Sequence, residues 1–157
     1  MLAPKAGTVT LNVDGQSIGE EAHPLRAGLV APALGLYGAL TARENVAFLA
    51  AARRLADAAA RIESVLGRVG IAERADDPVS TFSSGMRQRV KYAAALLADP
   101  PLLLLDEPAA NLDAPGREMV SDVVDEQLAQ GGMVVVATNR ADEAERHARS
   151  LRIEDHR

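Results

Sequence analysis

Phe82-Ser83-Ser84-Gly85-Met86-Arg87-Gln88-Arg89 is followed, one helix length later, by Leu102-Leu103-Leu104-Leu105-Asp106-Glu107-Pro108. The first block reads as a short polar turn opening a helix, with Ser83 or Ser84 as cap and an end near Ala98. Free N–H groups and the positive end of the dipole make such a helix start attractive to anions. Gly85 lets the backbone come close, the serine hydroxyls add donors, and Arg87, Arg89 and Lys91 put positive charge on the same helix. The second block follows Pro100-Pro101 and is a continuous apolar run, the pattern of a fully buried parallel strand. It delivers Asp106 and Glu107 to the strand's C-terminal end, where ligands bind in open α/β sheets. Carboxylates there need a cation or hydrogen bonds. A Ser-Ser-Gly cap is common by itself, and a leucine run ending in acids is moderate evidence alone. In sequence, the pair describes a turn for a phosphate and carboxylates for Mg²⁺ and for activating water.

Working outward, Asp113-Ala114-Pro115 starts the next helix with a cap and an early proline, and Gly131-Gly132 ends it. Met133 to Ala137 reads as a second buried strand, Ala141 to Ala148 as a short helix, and Ser150 to Ile153 as a last strand. Strand, helix, strand, helix, strand from Leu102 onward is a parallel α/β pattern. Upstream, Thr41-Ala42-Arg43-Glu44 forms a capping box, and Val46, Leu49, Ala50 and Leu55 give its helix an apolar face. Ile62, Val65, Leu66 and Val69 mark a second helix closed by Gly70, and polar Ala72 to Ser80 is a connector. Near the start, Thr8 to Val13 is a strand ended by Asp14-Gly15, and Leu29-Val30-Ala31 is a short strand stopped by Pro32. The organisation expected is an N-terminal β region over residues 1–40, a helical subdomain over 41–98, and an α/β core over 99–157.

The 157 residues suit one domain with a real core. Two Phe, two Tyr and no Trp mean that the core is aliphatic. A net charge of −5 argues against a nucleic-acid partner. The absence of cysteine excludes disulfides, thiolate catalysis and cysteine-based zinc sites, and His23, His147 and His156 lack metal-ligand spacing. No signal peptide and no apolar run of spanning length is visible, so a soluble, cytoplasmic chain is expected.

The two opening blocks resemble the signature loop and Walker B strand of an ATP-binding cassette (ABC) ATPase, and the 20 positions from Met86 to Asp106 match that family's separation. Asn111-Leu112-Asp113 looks like its D-loop. Tyr37-Gly38-Ala39-Leu40-Thr41-Ala42-Arg43-Glu44-Asn45-Val46 looks like the stretch that opens its helical subdomain, and Gly7 to Gly15 like its early hairpin. Ala137-Thr138-Asn139 sits where a switch histidine normally ends its strand. The likeness covers Gly7 to Ile153 and is nearest the bacterial branch of haem-exporter and ABC-2-type subunits, to which Ser83 to Arg89 and the Ala-Thr-Asn ending both point. It implies a RecA-like P-loop NTPase sheet with a helical subdomain, and ATP with Mg²⁺ as ligands. It implies a second ABC subunit, in a homo- or heterodimer, and an integral membrane transporter subunit as partners. The position implied is peripheral, on the cytoplasmic face of the inner membrane. Asp106 would hold Mg²⁺ through water, and Glu107 would be the general base. Ser83, Ser84, Gly85 and Met86 form the signature turn, whose Ser83 to Gly85 would contact the γ-phosphate of ATP bound to the opposite subunit. Asn111 and Asp113 belong to the D-loop, with Asp113 linking the two sites. Asn139 replaces the switch histidine and is equally well read as a strand-end cap.

Two departures stand out. Leu29 to Gly38 contains no glutamine where the family's Q-loop residue belongs, and no Gly-x-x-x-x-Gly-Lys-Ser/Thr phosphate loop occurs in the 157 residues. The only lysines are Lys5 and Lys91. Without the phosphate-loop strand and helix, two strand edges and an apolar sheet face are expected to lie open. The sequence therefore supports an ABC-type exporter subunit that is incomplete as written. It also supports a non-catalytic module that donates its signature loop to a partner's ATP site.

Overall fold

The computed structural model describes residues 10–13, 15–18 and 26–140 of the chain. Their order is β1 (Leu11–Val13), β2 (Gln16–Ile18), β3 (Ala27–Val30), α1 (Ala42–Ala52), α2 (Ala58–Arg68), α3 (Ser84–Leu96), β4 (Leu102–Asp106), α4 (Ala114–Ala129) and β5 (Met133–Ala137). β1 and β2 form an antiparallel hairpin with Gly15 at φ +76° in its turn. The other strands form a parallel sheet in the order β3-β4-β5. The helix expected at Ala141 to Ala148 and the strand at Ser150 to Ile153 lie outside the described residues.

The Thr41 capping box forms as its sequence predicts. The Glu44 N–H donates to the Thr41 hydroxyl at 3.0 Å, and the Thr41 N–H donates to the Glu44 carboxylate at 2.8 Å. Asn45 completes this corner from inside. Its side-chain oxygen accepts from the Tyr37 N–H at 2.8 Å, and its NH₂ donates to the carbonyls of Tyr37 (3.0 Å) and Thr41 (2.8 Å). The connector after α2 contains two short 3₁₀ turns, Ala72–Arg74 and Val79–Thr81. It returns along the same loop, with Val79 N–H donating to Leu40 C=O and Ser80 N–H to Gly38 C=O, both at 2.9 Å. Gly70 closes α2 at φ +67°.

One apolar cluster joins Val30 and Leu105 of the sheet to Val90 and Leu97 beside it and to Val46 and Leu66 in α1 and α2. α3 lies close against β3. A Cβ added to Gly28 would meet the Ala95 carbonyl oxygen at 2.6 Å and a Leu103 methyl at 2.7 Å. The sheet register sets Gly28, Leu103 and Val134 in one row and Ala27, Leu102 and Met133 in the next. Side chains of successive residues point to opposite faces. The face carrying Val30, Leu103 and Leu105 is buried against helices, and Val120 and Val123 of α4 join the same cluster. On the other face Leu102 and Leu104 are half-buried, and Met133 and Val135 remain 42% and 56% exposed. β4 and β5 are therefore not the fully buried strands that their composition suggests. Their apolar residues occupy both faces, but the described helices cover only one. β3 and β5 are the edge strands of the three-stranded sheet among the described residues.

The Gly28 contact gives a paired test. Gly28→Ala overpacks the α3–β3 seam and is expected to lower stability by about 1–3 kcal/mol or more. Gly35→Ala, at a site with no atom within 4 Å of the added Cβ, is expected to stay within about 0.5 kcal/mol of wild type. Urea midpoints of the two variants check this; equal midpoints would contradict the close approach.

Candidate functional site

The site is assembled from three chain segments: the N-terminus of α3, the turn after β4 and the end of β5. Ser83 caps α3, its hydroxyl accepting from the Met86 N–H at 3.2 Å. Ser83 and Ser84 are exposed, and Gly85 and Met86 are half-buried. Gly85 packs on the turn after β4, since an added Cβ would lie 2.9 Å from the Asn111 carbonyl oxygen. The signature turn and the loop after the two acids are thus one continuous surface.

The helix holds that loop through two side chains whose part sequence patterning does not reveal. Tyr92 is fully buried and its hydroxyl donates to the Pro108 carbonyl at 3.1 Å. Gln88, also buried, donates from its NH₂ to the same oxygen at 3.5 Å. A buried polar group without a partner costs about 1–3 kcal/mol, so Gln88 and Tyr92 bind the carbonyl and the carbonyl satisfies them. The only sequence signal was polarity at helix positions facing inward, at i and i+4.

The carboxylates differ in setting. Asp106 ends β4, pairs in register with Ala137 and is exposed. Its exposed carboxylate is of the type that takes a hard cation. Glu107 is half-buried with φ +49°, a left-handed conformation that costs a residue with a Cβ about 1–2 kcal/mol. Two contacts hold it. Its N–H donates to the Ala137 carbonyl at 2.8 Å, and its Oε1 accepts from the Asn139 N–H at 2.9 Å. The turn then closes with Ala110 N–H to Glu107 C=O at 3.0 Å and passes through Asn111 at φ +61°. Asp113 caps α4 by accepting from the Gly116 N–H at 2.9 Å. The structure therefore brings Glu107 and Asn139 together, and Gly85 and Asn111 together. Asn139 meets Glu107 through its main chain, a contact different from either the switch or the strand-end cap expected of its side chain.

The three cations counted with the signature helix have other partners. Arg87 donates to the carbonyls of Val79 and Ser80, and Arg89 to that of Val69 at 2.7 Å. Arg89 also lies 3.6 Å from Asp113. The Lys91 ammonium donates to Ala31 C=O at 3.0 Å and Pro32 C=O at 2.9 Å, and burial lowers its pKa below the ordinary lysine value. These side chains commit part of their donors to the surrounding loops, and the turn's own anion donors are the serine hydroxyls and the N–H groups ahead of Met86, whose N–H goes to Ser83. No group of three or more His, Cys, Asp or Glu among the described residues is arranged to hold a metal alone. A single exposed carboxylate fits Mg²⁺, which is commonly bound by one or two carboxylates with substrate phosphates and water.

A parallel sheet with paired acids at the exit of its central strand, beside a capped helix start, is the arrangement of a nucleotide-binding α/β ATPase. The sequence model described as ABC transporter matches residues 1–110, and the chain belongs to that family. It is 38% identical over 138 residues to the linearmycin resistance ATP-binding protein LnrL of Bacillus subtilis, covering 85% of this chain and 43% of that protein. It is 38% identical to the cytochrome c biogenesis ATP-binding export protein CcmA of Pseudomonas savastanoi pv. phaseolicola, over 88% of this chain and 65% of that one. It is 43% identical to the taurine import ATP-binding protein TauB of Mesorhizobium japonicum, over 69% of this chain and 44% of that one. The chain thus spans 43% to 65% of the length of these relatives. Among solved structures, the ATP-binding subunit of an ABC transporter superposes with a TM-score of 0.73 at 28% identity, over 85% of this chain and 57% of that chain. A dimeric ATP-binding cassette in a post-hydrolysis state, bound to ADP and Pi, superposes with a TM-score of 0.69 at 26% identity, over 85% and 63%. The ABC ATPase resemblance and the α/β fold expected from sequence are both borne out.

The Gly85 contact is open to a direct test. In Gly85→Ala the added methyl must displace the Asn111 carbonyl. Amide resonances from Ala110 to Asp113 are expected to shift, while far-UV helix content stays within about a tenth of wild type because one alanine at a helix start is well tolerated. Unmoved loop resonances would refute the packing.

Proposed function

We propose that this chain serves as the ATP-binding subunit of an ABC-type exporter, hydrolysing ATP within a dimer against an integral membrane subunit. The observation that carries the reading is the packing of Gly85 on Asn111, which makes the signature turn and the Asp106-Glu107 exit one surface. Support for export comes from the likeness to CcmA, an export protein, and from the Ser83 to Arg89 block. TauB, an import protein, is the counterweight. No helix among the described residues is long and apolar enough to cross a membrane, and the membrane-spanning partner is proposed from the family likeness. The place proposed is the cytoplasmic face of the inner membrane.

Each residue then has a role. Ser83, Ser84 and Gly85 present hydroxyls and N–H groups to the γ-phosphate of ATP held by the opposite subunit, and Met86, whose N–H is held by the Ser83 hydroxyl, completes the turn. Asn111 and Asp113 line the contact between subunits. Glu107 accepts a proton from water as the water oxygen bonds to the γ-phosphorus; the bond to the β–γ bridging oxygen breaks and ADP leaves with it. Asp106 would hold Mg²⁺ through water, and that ion supplies neutralising charge to the phosphate oxygens. A second reading has a specific observation behind it. The 157 residues contain no Gly-x-x-x-x-Gly-Lys-Ser/Thr block, while the signature turn is open to solvent. In that reading the chain donates Ser83 to Gly85 to a partner's ATP and hydrolyses none of its own.

Two measurements bear on these readings, and the second separates them. The isolated 157-residue chain is expected to bind Mg-ATP weakly or not at all by calorimetry, because the phosphate loop supplies most of the grip on the triphosphate; tight Mg²⁺-dependent binding would count against this. The protein, tagged at its C-terminus in its native host and purified with its membrane partner, is expected to turn over ATP. There Glu107→Gln should lower the rate by about 10²–10⁴-fold, the contribution of a positioned base. An unchanged rate selects the donor reading, in which this carboxylate is idle.

A further inference from the structure

We propose that Asn139 is a positioning residue for Glu107 and acts through its main-chain N–H, so that position 139 must supply an amide and not a particular side chain. The proposal rests on Glu107 being the general base, as above. Glu107 and the end of β5 exchange two hydrogen bonds. The Glu107 N–H donates to Ala137 C=O at 2.8 Å, and the Asn139 N–H donates to Glu107 Oε1 at 2.9 Å. The parallel register that pairs Asp106 with Ala137 aligns the two strand exits. The left-handed turn at Glu107 (φ +49°) brings its carboxylate back across to residue 139. With Oε1 fixed, rotation of the carboxylate is restrained and Oε2 remains to take a proton from water. Every residue except proline offers this N–H. The replacement of the expected histidine by asparagine therefore leaves the tether intact.

The test has two arms. In the isolated chain, amide exchange at Asn139 is read by NMR. Glu107→Gln keeps an acceptor oxygen and is expected to keep the Asn139 amide protected. Glu107→Ala removes the acceptor and is expected to speed its exchange by at least about tenfold, the loss of one hydrogen bond to a charged group, with the Leu105 amide unchanged. In the purified complex, Asn139→Ala and Asn139→His keep the main-chain N–H and are expected to lose less kcat than Asn139→Pro. Asn139→Pro is expected to lower kcat at least about tenfold with KM for ATP unchanged, because only base positioning is lost. Unchanged Asn139 exchange in Glu107→Ala overturns the proposal, as does a loss in Asn139→Ala equal to that in Asn139→Pro. Should the wild-type complex show no ATP turnover, Glu107's hydrolytic role fails, while the exchange arm still decides whether the tether exists.

Discussion

The carbonyl of Pro108 is the point on which the site turns. It accepts from Tyr92 and Gln88, both buried on α3, and so fastens the loop after the acid pair to the helix whose start forms the signature turn. Together with Leu112, buried in the core cluster beside Gly85, that fastening sets the relation of Gly85 to Asn111. Gly28 sets the other side of the same seam by letting α3 approach β3 to van der Waals contact. Helix, strand and loop are thereby indexed to one another by a few close contacts and not by bulk apolar packing alone.

Much of this architecture is legible in the sequence because local signals and tertiary demands agree. Thr41 with Glu44, Ser83, and Asp113 before Pro115 announce helix starts by chemistry that needs no distant partner, and each forms its expected cap. The leucine run announces a strand, and its parallel pairing follows from the interposed helix. The sequence reads two ways on the burial of β4 and β5: their apolar runs suggest full burial, whereas the lack of a phosphate-loop block leads one to expect an open apolar face, and the exposure of Met133 and Val135 follows the second. An apolar run records what a strand tolerates on both faces, not what covers them, and Val135 at 56% exposed is the result. The candidate site divides in the same way. Asp106, Glu107 and the Ser-Ser-Gly turn are visible as residue types in order. The parts played by Gln88, Tyr92 and Asn45 are not, because a buried polar side chain is defined by a carbonyl that only the folded chain brings to it.

Arginine and lysine illustrate a related limit. On the sequence Arg87, Arg89 and Lys91 look like a field for an anion. In the fold each grips backbone carbonyls: Val79 and Ser80, Val69, and Ala31 with Pro32. Lys91 is of particular interest because it fastens the exit of β3 to α3, within the stretch that lacks the expected glutamine. Long cationic side chains with buried stems often cover loops in this way. Their charge contributes to the neighbourhood, but part of each donor set is already committed to a carbonyl.

The chain also contains its own optical gauge. It has no tryptophan, and its two tyrosines sit in opposite surroundings: Tyr37 is 58% exposed, whereas Tyr92 is wholly enclosed against Pro108. Tyrosine emission is consequently not drained by energy transfer to an indole. The component shielded from aqueous quenchers originates beside the acid-bearing turn, so its intensity registers movements of that turn without any label.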